Sequence, residues 1–272
     1  MSYMTENFNP DIAIQNITDW IKHYFAETGP VSPAVIGISG GKDSTVAAAL
    51  LVKALGPERV VGVLMPCDGQ RDIHDSYEVC KTLGIRYYEV ELGQAMEKLT
   101  EALPKNIFGH NNEVYYTNTP ARLRMTTLYA IAGMIHGRVA NTCNFSEDYV
   151  GYSTKWGDNA GDFAILENYT VTEVIAIGEA LGLPTHLIYK TPNDGMSGKS
   201  DEEKLGISYI TLDKYIMDNI VPDIDTLARI SKYWTQSRHK VKHLPAAPNS
   251  FKQYRKNNFL NHAIEVEESF YF

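Results

Sequence analysis

Cysteine is scarce in this 272-residue chain: Cys67, Cys80 and Cys143 are its three, and no two form a CxxC pair. So few scattered thiols exclude a disulfide framework and a thiolate zinc site, and point to a reducing compartment, the cytoplasm. Long apolar runs are missing too. No stretch approaches the ~18–20 apolar residues a membrane helix requires. The opening MSYMTENFNPDIAIQ has no basic region followed by an apolar one, so no signal peptide is expected. Positive charge is also in short supply, because 25 Lys and Arg stand against 33 Asp and Glu, a net charge of −8. A general nucleic-acid binder needs a phosphate-neutralising surface, which this balance does not offer. What remains is 44% hydrophobic and 21% charged with no low-complexity tract. A single globular domain over residues 1–272 is expected.

Apolar residues at Ile14, Ile17, Ile21, Tyr24 and Phe25 predict an amphipathic helix over Ile12–Ala26. Strands are expected at Ala34–Ile38, Arg59–Met65, Arg86–Leu92 and Arg138–Asn141. Helices are expected at Val46–Leu55, Asp72–Leu83, Ala121–Gly137 with Pro120 at its start, Val171–Leu181, Asp201–Ile220 and Asp223–Trp234. The polar, glycine-bearing stretch Thr191–Ser200 is expected to be a loop. Strands alternating with helices predict an α/β fold, a doubly wound parallel sheet flanked by helices.

The stretch VIGISGGKDST, Val35–Thr45, joins the first strand to the next helix. A helix that starts at the carboxyl end of a sheet strand offers unpaired N–H groups and the positive end of its dipole, which suit phosphate. Gly40 and Gly41 let the backbone close on an oxyanion, and Ser39, Ser44 and Thr45 can add hydroxyl donors. This is not a Walker A loop: Ile36 stands where its first glycine would be, and Asp43 separates Lys42 from Ser44. A carboxylate inside a phosphate cradle repels its ligand unless a cation lies between them. Asp43 therefore predicts Mg²⁺, which accepts one or two carboxylates and completes its shell with phosphates and water. A glycine turn with a polar cap is the plainer alternative.

SGGKDS after a strand resembles the SGGxDS pyrophosphate loop of the ATP pyrophosphatases, which adenylate a substrate oxygen and release pyrophosphate. Later blocks resemble the ammonia-dependent NAD synthetases within that superfamily: PARLRMTT (120–127), ANTCNFSEDYVGYSTKWGD (140–158) with Ala160–Asp162, TPNDGMSGKSDEEKLG (191–206) and Arg238–Lys240. The likeness runs from about Ile12 to Pro248 and leaves the tail 249–272 unread. It implies an adenine nucleotide alpha-hydrolase-like, Rossmann-like three-layer fold and a homodimer. ATP, deamido-NAD and ammonia would be the substrates, with Mg²⁺ required.

Carried across by position, the resemblance implies that Gly37, Ile38, Ser39, Gly40, Gly41, Lys42, Asp43 and Ser44 hold ATP, together with Thr142 and Asn193. Asp43 and Glu147 would bind Mg²⁺ and, with Lys42, form the catalytic group. Arg122, Lys155, Asp162, His239 and Lys240 would bind deamido-NAD. Several of these keep a plainer reading. Glu147 could be a solvated acid, and RHKVKH a basic surface patch. Arg122 and Arg124 cannot share a helix face, so one reaches a ligand while the other makes a structural pair. Two positions depart from the family pattern. Val171 stands where many members place a lysine, a role either absent or taken over by Lys190 or Lys199, and Asn193 where a threonine or serine is common.

The implied reaction is ligation in two steps. The nicotinate carboxylate attacks the α-phosphorus of ATP, releasing pyrophosphate, and ammonia then attacks the mixed anhydride to give NAD and AMP. Positioning and charge neutralisation dominate such chemistry, and no Ser-His-Asp order or catalytic cysteine competes with it. The few residues ahead of the first helix leave no room for an amidase domain, so free ammonia is the expected nitrogen donor. The 191–200 loop would exclude water as a lid. The helix Ala121–Gly137 could form the dimer surface or be buried within one subunit. Two other readings stay open: another ATP-pyrophosphatase ligase, tRNA-modifying or GMP-synthetase-like, and a non-catalytic nucleotide sensor, which would need no pair of metal-holding acids.

Overall fold

The computed structural model describes residues 8–69, 72–107, 112–190 and 200–241. All belong to one compact unit, Met1–Val241. Five strands lie in chain order as β1 (Ala34–Gly37), β2 (Val60–Leu64), β3 (Arg86–Glu89), β4 (Arg138–Asn141) and β5 (Phe163–Ala164). They form a parallel sheet of order β3-β2-β1-β4-β5, with Val35 beside Val61 on one side and beside Val139 on the other. The helices are α1 (Pro10–Thr28), α2 (Lys42–Leu55), α3 (Ile73–Leu83), α4 (Gly93–Ala102), α5 (Asn112–Ile135), α6 (Phe145–Val150), α7 (Val171–Ala180), α8 (Thr185–Ile188), α9 (Asp201–Leu205), α10 (Tyr209–Asp218) and α11 (Ile224–Val241). This is the doubly wound sheet expected.

Side chains alternate across a strand, so β1 feeds two cores. Ala34 and Ile36 pack with Ile21 and Phe25 of α1, Leu50 of α2 and Ile177 of α7. Val35 points the other way, where Val61, Val63 and Val139 meet Met125, Leu128 and Ala132 of α5. Sheet faces covered on both sides explain why β1 and β2 read as unbroken apolar runs. A third cluster joins Val150, Val171, Leu205, Tyr209, Leu212 and Ile230 outside the sheet. Asp213 ties it together: fully buried, it accepts from the Ser146 hydroxyl at 2.5 Å and from the Thr172 N–H at 2.9 Å, while the Ser146 Oγ accepts from the Val171 N–H.

Three helices differ from expectation. Pro120 lies inside α5, which begins at Asn112: NEVYYTNT carries no apolar period and still forms helix. The stretch 201–220 is two helices, because Gly206 takes a left-handed φ of 64° and Ser208 caps a new start. α11 runs on to Val241 and so carries Arg238–Lys240 in its last turn. Helices α4, α6 and α8 and the two-residue β5 had no predicted counterpart. Of the expected loop Thr191–Ser200, Ser200 caps α9, while residues 191–199, with Asn193 and Lys199, and the tail after Val241 lie outside the described residues.

The chain leaves β1 toward β3 on one side and returns as β4 on the other, so the order reverses between β1 and β4. Ligands of open α/β sheets gather at such a reversal, outside the carboxyl ends of the strands. Residues 38–44 follow β1 there, and 142–147 follow β4.

Candidate active site

The corner after β1 is braced by its own hydroxyls. The Ile38 N–H extends the ladder to Val63 O at 2.9 Å. The Ser39 Oγ accepts the Gly41 N–H at 3.2 Å, and the Ser44 and Thr45 hydroxyls donate to the Gly41 carbonyl at 3.1 and 2.7 Å. Without a ligand, the Ser44 and Thr45 hydroxyls brace the loop. Gly40 has φ 76°, and a Cβ there would lie 2.7 Å from the Asp75 Cβ and 2.9 Å from the Ser76 N, so both conformation and space require glycine. No side chain caps α2, which leaves its first N–H groups and its dipole for a ligand.

At the first turn of α2, Lys42 is 3% exposed and its Nζ lies 2.8 Å from Asp43 Oδ2. Burial works against its charge, but Asp43 and then Glu147 outweigh burial and hold its pKa above the ordinary lysine range. The other oxygen, Asp43 Oδ1, accepts from the Asn144 amide at 3.0 Å. Asn144 is fully buried and is the N-cap of α6: its Oδ1 accepts the Glu147 N–H at 3.0 Å, and Glu147 Oε2 accepts the Asn144 N–H at 3.4 Å. This capping box fixes Glu147 while the same asparagine grips Asp43. Burial first, and the Asp43 carboxylate second, push the Glu147 carboxyl well above its usual range, against the pull of Lys42 and the Asn144 N–H. Glu147 is thus no solvated surface acid.

A Glu147 charge disfavoured by burial and by the Asp43 carboxylate suits a divalent cation beside the two acids, which reverses that penalty. The donors are all oxygen, as Mg²⁺ prefers. Among the described residues no three His, Cys, Asp or Glu side chains converge on one point. A cation here would lean on two carboxylates, with phosphate and water completing its shell.

Thr142 follows β4 directly and is half-buried. Val171 is a buried first residue of α7 in the third cluster and brings no charge. Lys190 bonds Asp72 and Asp75, each at 2.6 Å, so its ammonium braces the start of α3 beside Gly40. Residue reasoning missed Asn144, Asp201 and Tyr209. For Asn144 a signal existed, the N-x-x-E spacing to Glu147. Asp201 is buried, accepts from the Tyr152 hydroxyl at 2.9 Å, and its charge reaches both Lys42 and Glu147.

The second set of residues gathers around the 151–162 segment. The Arg122 Nε donates to the Lys155 carbonyl at 3.2 Å, and the Lys155 Nζ donates to the His239 carbonyl at 2.7 Å. Arg124 instead donates to Met65 O at the end of β2, a hydrogen bond rather than the expected ion pair, and leaves Arg122 as the outward arginine. Lys240 donates to the carbonyls of Gly151 and Ser153, both at 2.9 Å, and Arg238 to those of Asp148 and Tyr149. These two cations clasp the C-terminus of α6. Gly151 makes the clasp possible, with φ 66° and a Cβ position 1.9 Å from the Ser237 Cβ. Asp162 accepts the Val139 N–H at 2.7 Å and the Tyr129 hydroxyl at 3.2 Å. Tyr129, Met125, Thr126, Trp156, Asn159, Ala160 and Gly161 line an open groove of about 540 Å³, within the range of small-molecule sites.

A glycine corner at the reversal of a doubly wound sheet, with a bare helix start and two acids joined through Asn144, is the arrangement that the resemblance to the ATP pyrophosphatases led us to expect. The comparisons then narrow the class. The family model for NAD synthase matches residues 13–252, and the chain belongs to that family. It is 40% identical over 209 residues to the NH3-dependent NAD+ synthetase of Thermococcus kodakarensis, covering 75% of this chain and 79% of that one. It is 35% identical to the Pyrococcus horikoshii protein of the same name, over 88% of this chain and 95% of that one. The solved structure of NMN synthetase from Francisella tularensis superposes with a TM-score of 0.81 at 33% identity, covering 89% of this chain and all of that one.

Proposed function

We propose that the chain amidates deamido-NAD with free ammonia at the expense of ATP, giving NAD, AMP and pyrophosphate. One observation carries this reading: Asp43 and Glu147, from α2 and α6, are two half-buried acids tied together through Asn144 at the mouth of the proposed phosphate-binding helix. Residues 37–44, Thr142 and Asn193 would hold ATP. Mg²⁺, held by Asp43 and Glu147, would supply neutralising charge to the triphosphate. Lys42 and the N–H groups of α2 stabilise negative charge as pyrophosphate leaves, without reorganising at the moment of reaction. Arg122, Lys155, Asp162, His239 and Lys240 would orient the dinucleotide so that its nicotinate carboxylate faces the α-phosphorus. No protein nucleophile takes part, since the substrate supplies the carboxylate and ammonia supplies the amine.

Incubation with Mg-ATP, ammonium and deamido-NAD should yield NAD and AMP in equal amounts. AMP without NAD, or no AMP, overturns the reading. A second substrate deserves an arm of that assay because of the likeness to the Francisella NMN synthetase. The dinucleotide should give the larger kcat/KM, and preference for the acid mononucleotide would reassign the product to NMN.

The cytoplasm remains the proposed compartment. The three cysteines are unpaired, and no helix among the described residues is long and apolar enough to cross a membrane. A homodimer is proposed through α5. Its Met125, Leu128 and Ala132 are buried under the sheet, while Met134 on the other face is 77% exposed and would supply the dimer contact. Met134→Glu should shift the mass in solution toward one chain.

A further inference from the structure

Tyr209 begins α10 and is 3% exposed, its ring packed among Val150, Val171 and Leu212. The ring's pose is fixed from two sides. The Tyr209 N–H donates to Glu202 Oε1 at 2.7 Å, and the Lys42 ammonium lies 5.7 Å from the ring centroid. Its hydroxyl nevertheless has no hydrogen-bond partner among the described residues. Two other buried polar atoms share that condition, Arg59 Nε and Ser76 Oγ. Both have local remedies. Arg59 already donates to the Ser32 carbonyl through Nη2, and a helical serine can turn its hydroxyl to the preceding turn. A phenol turns its proton only about its own ring axis and has no such choice.

A buried hydroxyl without a partner costs stability. Its surroundings show what it faces. Burial first, then the charges of Glu147, Asp201 and Asp43, push the phenol well above its ordinary range, so it stays a protonated donor beside the site's acids. Lys42 links the two places, touching Asp43 on one side and standing over the tyrosine ring on the other.

We infer that Tyr209 is a positioning residue for the nucleotide, its hydroxyl kept as the donor to an oxygen of the ATP phosphates lying against Lys42 and Asp43. This rests on the ligase reading above. It adds a contact that neither the glycine corner nor the acid pair supplies, from a helix more than 160 residues further along the chain.

The test is Tyr209→Phe, which keeps the ring and removes only the hydroxyl. Melting of the protein without ligand, and calorimetric titration with Mg²⁺ and the α,β-methylene analogue of ATP, are the two readouts. The variant should melt at or above the wild-type temperature and bind the analogue about tenfold to a hundredfold more weakly, the size of a lost hydrogen bond to a charged group. Tyr152→Phe is the contrast: its hydroxyl donates to Asp201 at 2.9 Å, so its loss should lower the melting temperature. Unchanged affinity in Tyr209→Phe overturns the inference, and so does a fall in melting temperature matching that of Tyr152→Phe, which would make the hydroxyl structural. Wild-type AMP release in the presence of deamido-NAD is scored separately. Its failure would sink the ligase reading, whereas the affinity ratio between Tyr209→Phe and wild type judges Tyr209 alone.

Discussion

The nucleotide corner and the 151–162 surface are built by opposite means. In the corner, a buried lysine and two half-buried acids are held mainly by side chains: Lys42 and Asn144 both bond Asp43, and Asn144 also accepts the Glu147 N–H. On the surface, cations meet backbone carbonyls: Arg122 on Lys155, Lys155 on His239, Lys240 on Gly151 and Ser153. A side-chain pair in low dielectric is stiff and depends on both partners, while an exposed cation on a carbonyl, as Arg122 is, can be drawn away at little cost; Lys240, half-buried in its clasp on α6, is held more firmly. The first suits a triphosphate whose reacting atom must be placed closely. The second suits a larger substrate that arrives and leaves as a whole.

The strongest way to break this contrast is at Asp43. Asp43→Asn should lower pyrophosphate release by at least ~10²-fold, the scale of removing a charge-stabilising group. The protein should still fold, because Glu147 remains as counter-charge for Lys42, although its melting temperature should drop. Near-wild-type turnover would refute the metal role. Next in size is Arg122→Ala. It should raise the KM for deamido-NAD by about tenfold with stability changed by less than ~0.5 kcal/mol, as for an exposed side chain. A loss of kcat at unchanged KM would mean that the surface is as stiff as the corner.

The smallest effect sharpens the border between the two regions. Asp148, on α6, has its carboxyl pushed up to about 6 by burial and then by Glu167, against the Asn159 amide and Arg238. A raised folded pKa means that the native state prefers the protonated form, so stability is lost as pH climbs from the unfolded value through 6. Asp148→Asn mimics that form. It should melt above wild type at pH 8, by a margin that shrinks as pH falls below 6. A margin independent of pH would place the effect elsewhere.

Legibility followed the range of the interaction. β1, β2 and β4 announce themselves through Val and Ile, and α1 through its period. The glycine corner was readable because strand, glycines and helix start are contiguous. Helix α6, six residues held by one capping box, has no length over which a period could show, and β5 has only two residues. Pro120 misled because its fit at a helix start concealed eight helical residues before it. In the site, Asp43 could be argued from its own repulsion of phosphate, and Glu147 was placed by resemblance. Asn144 carried a local sign of its cap on Glu147 but none of its bond to Asp43, and Asp201 and Tyr209 meet their partners only far along the chain, where a sequence leaves no local mark.

The bond from Asn144 to Asp43 spans 101 positions. Joining points so far apart is entropically uphill until other contacts hold them together. Here that support is the docking of β4 beside β1. The acid pair is therefore a property of the docked sheet: without β4 beside β1, no part of the chain brings Asn144 and Glu147 to Asp43.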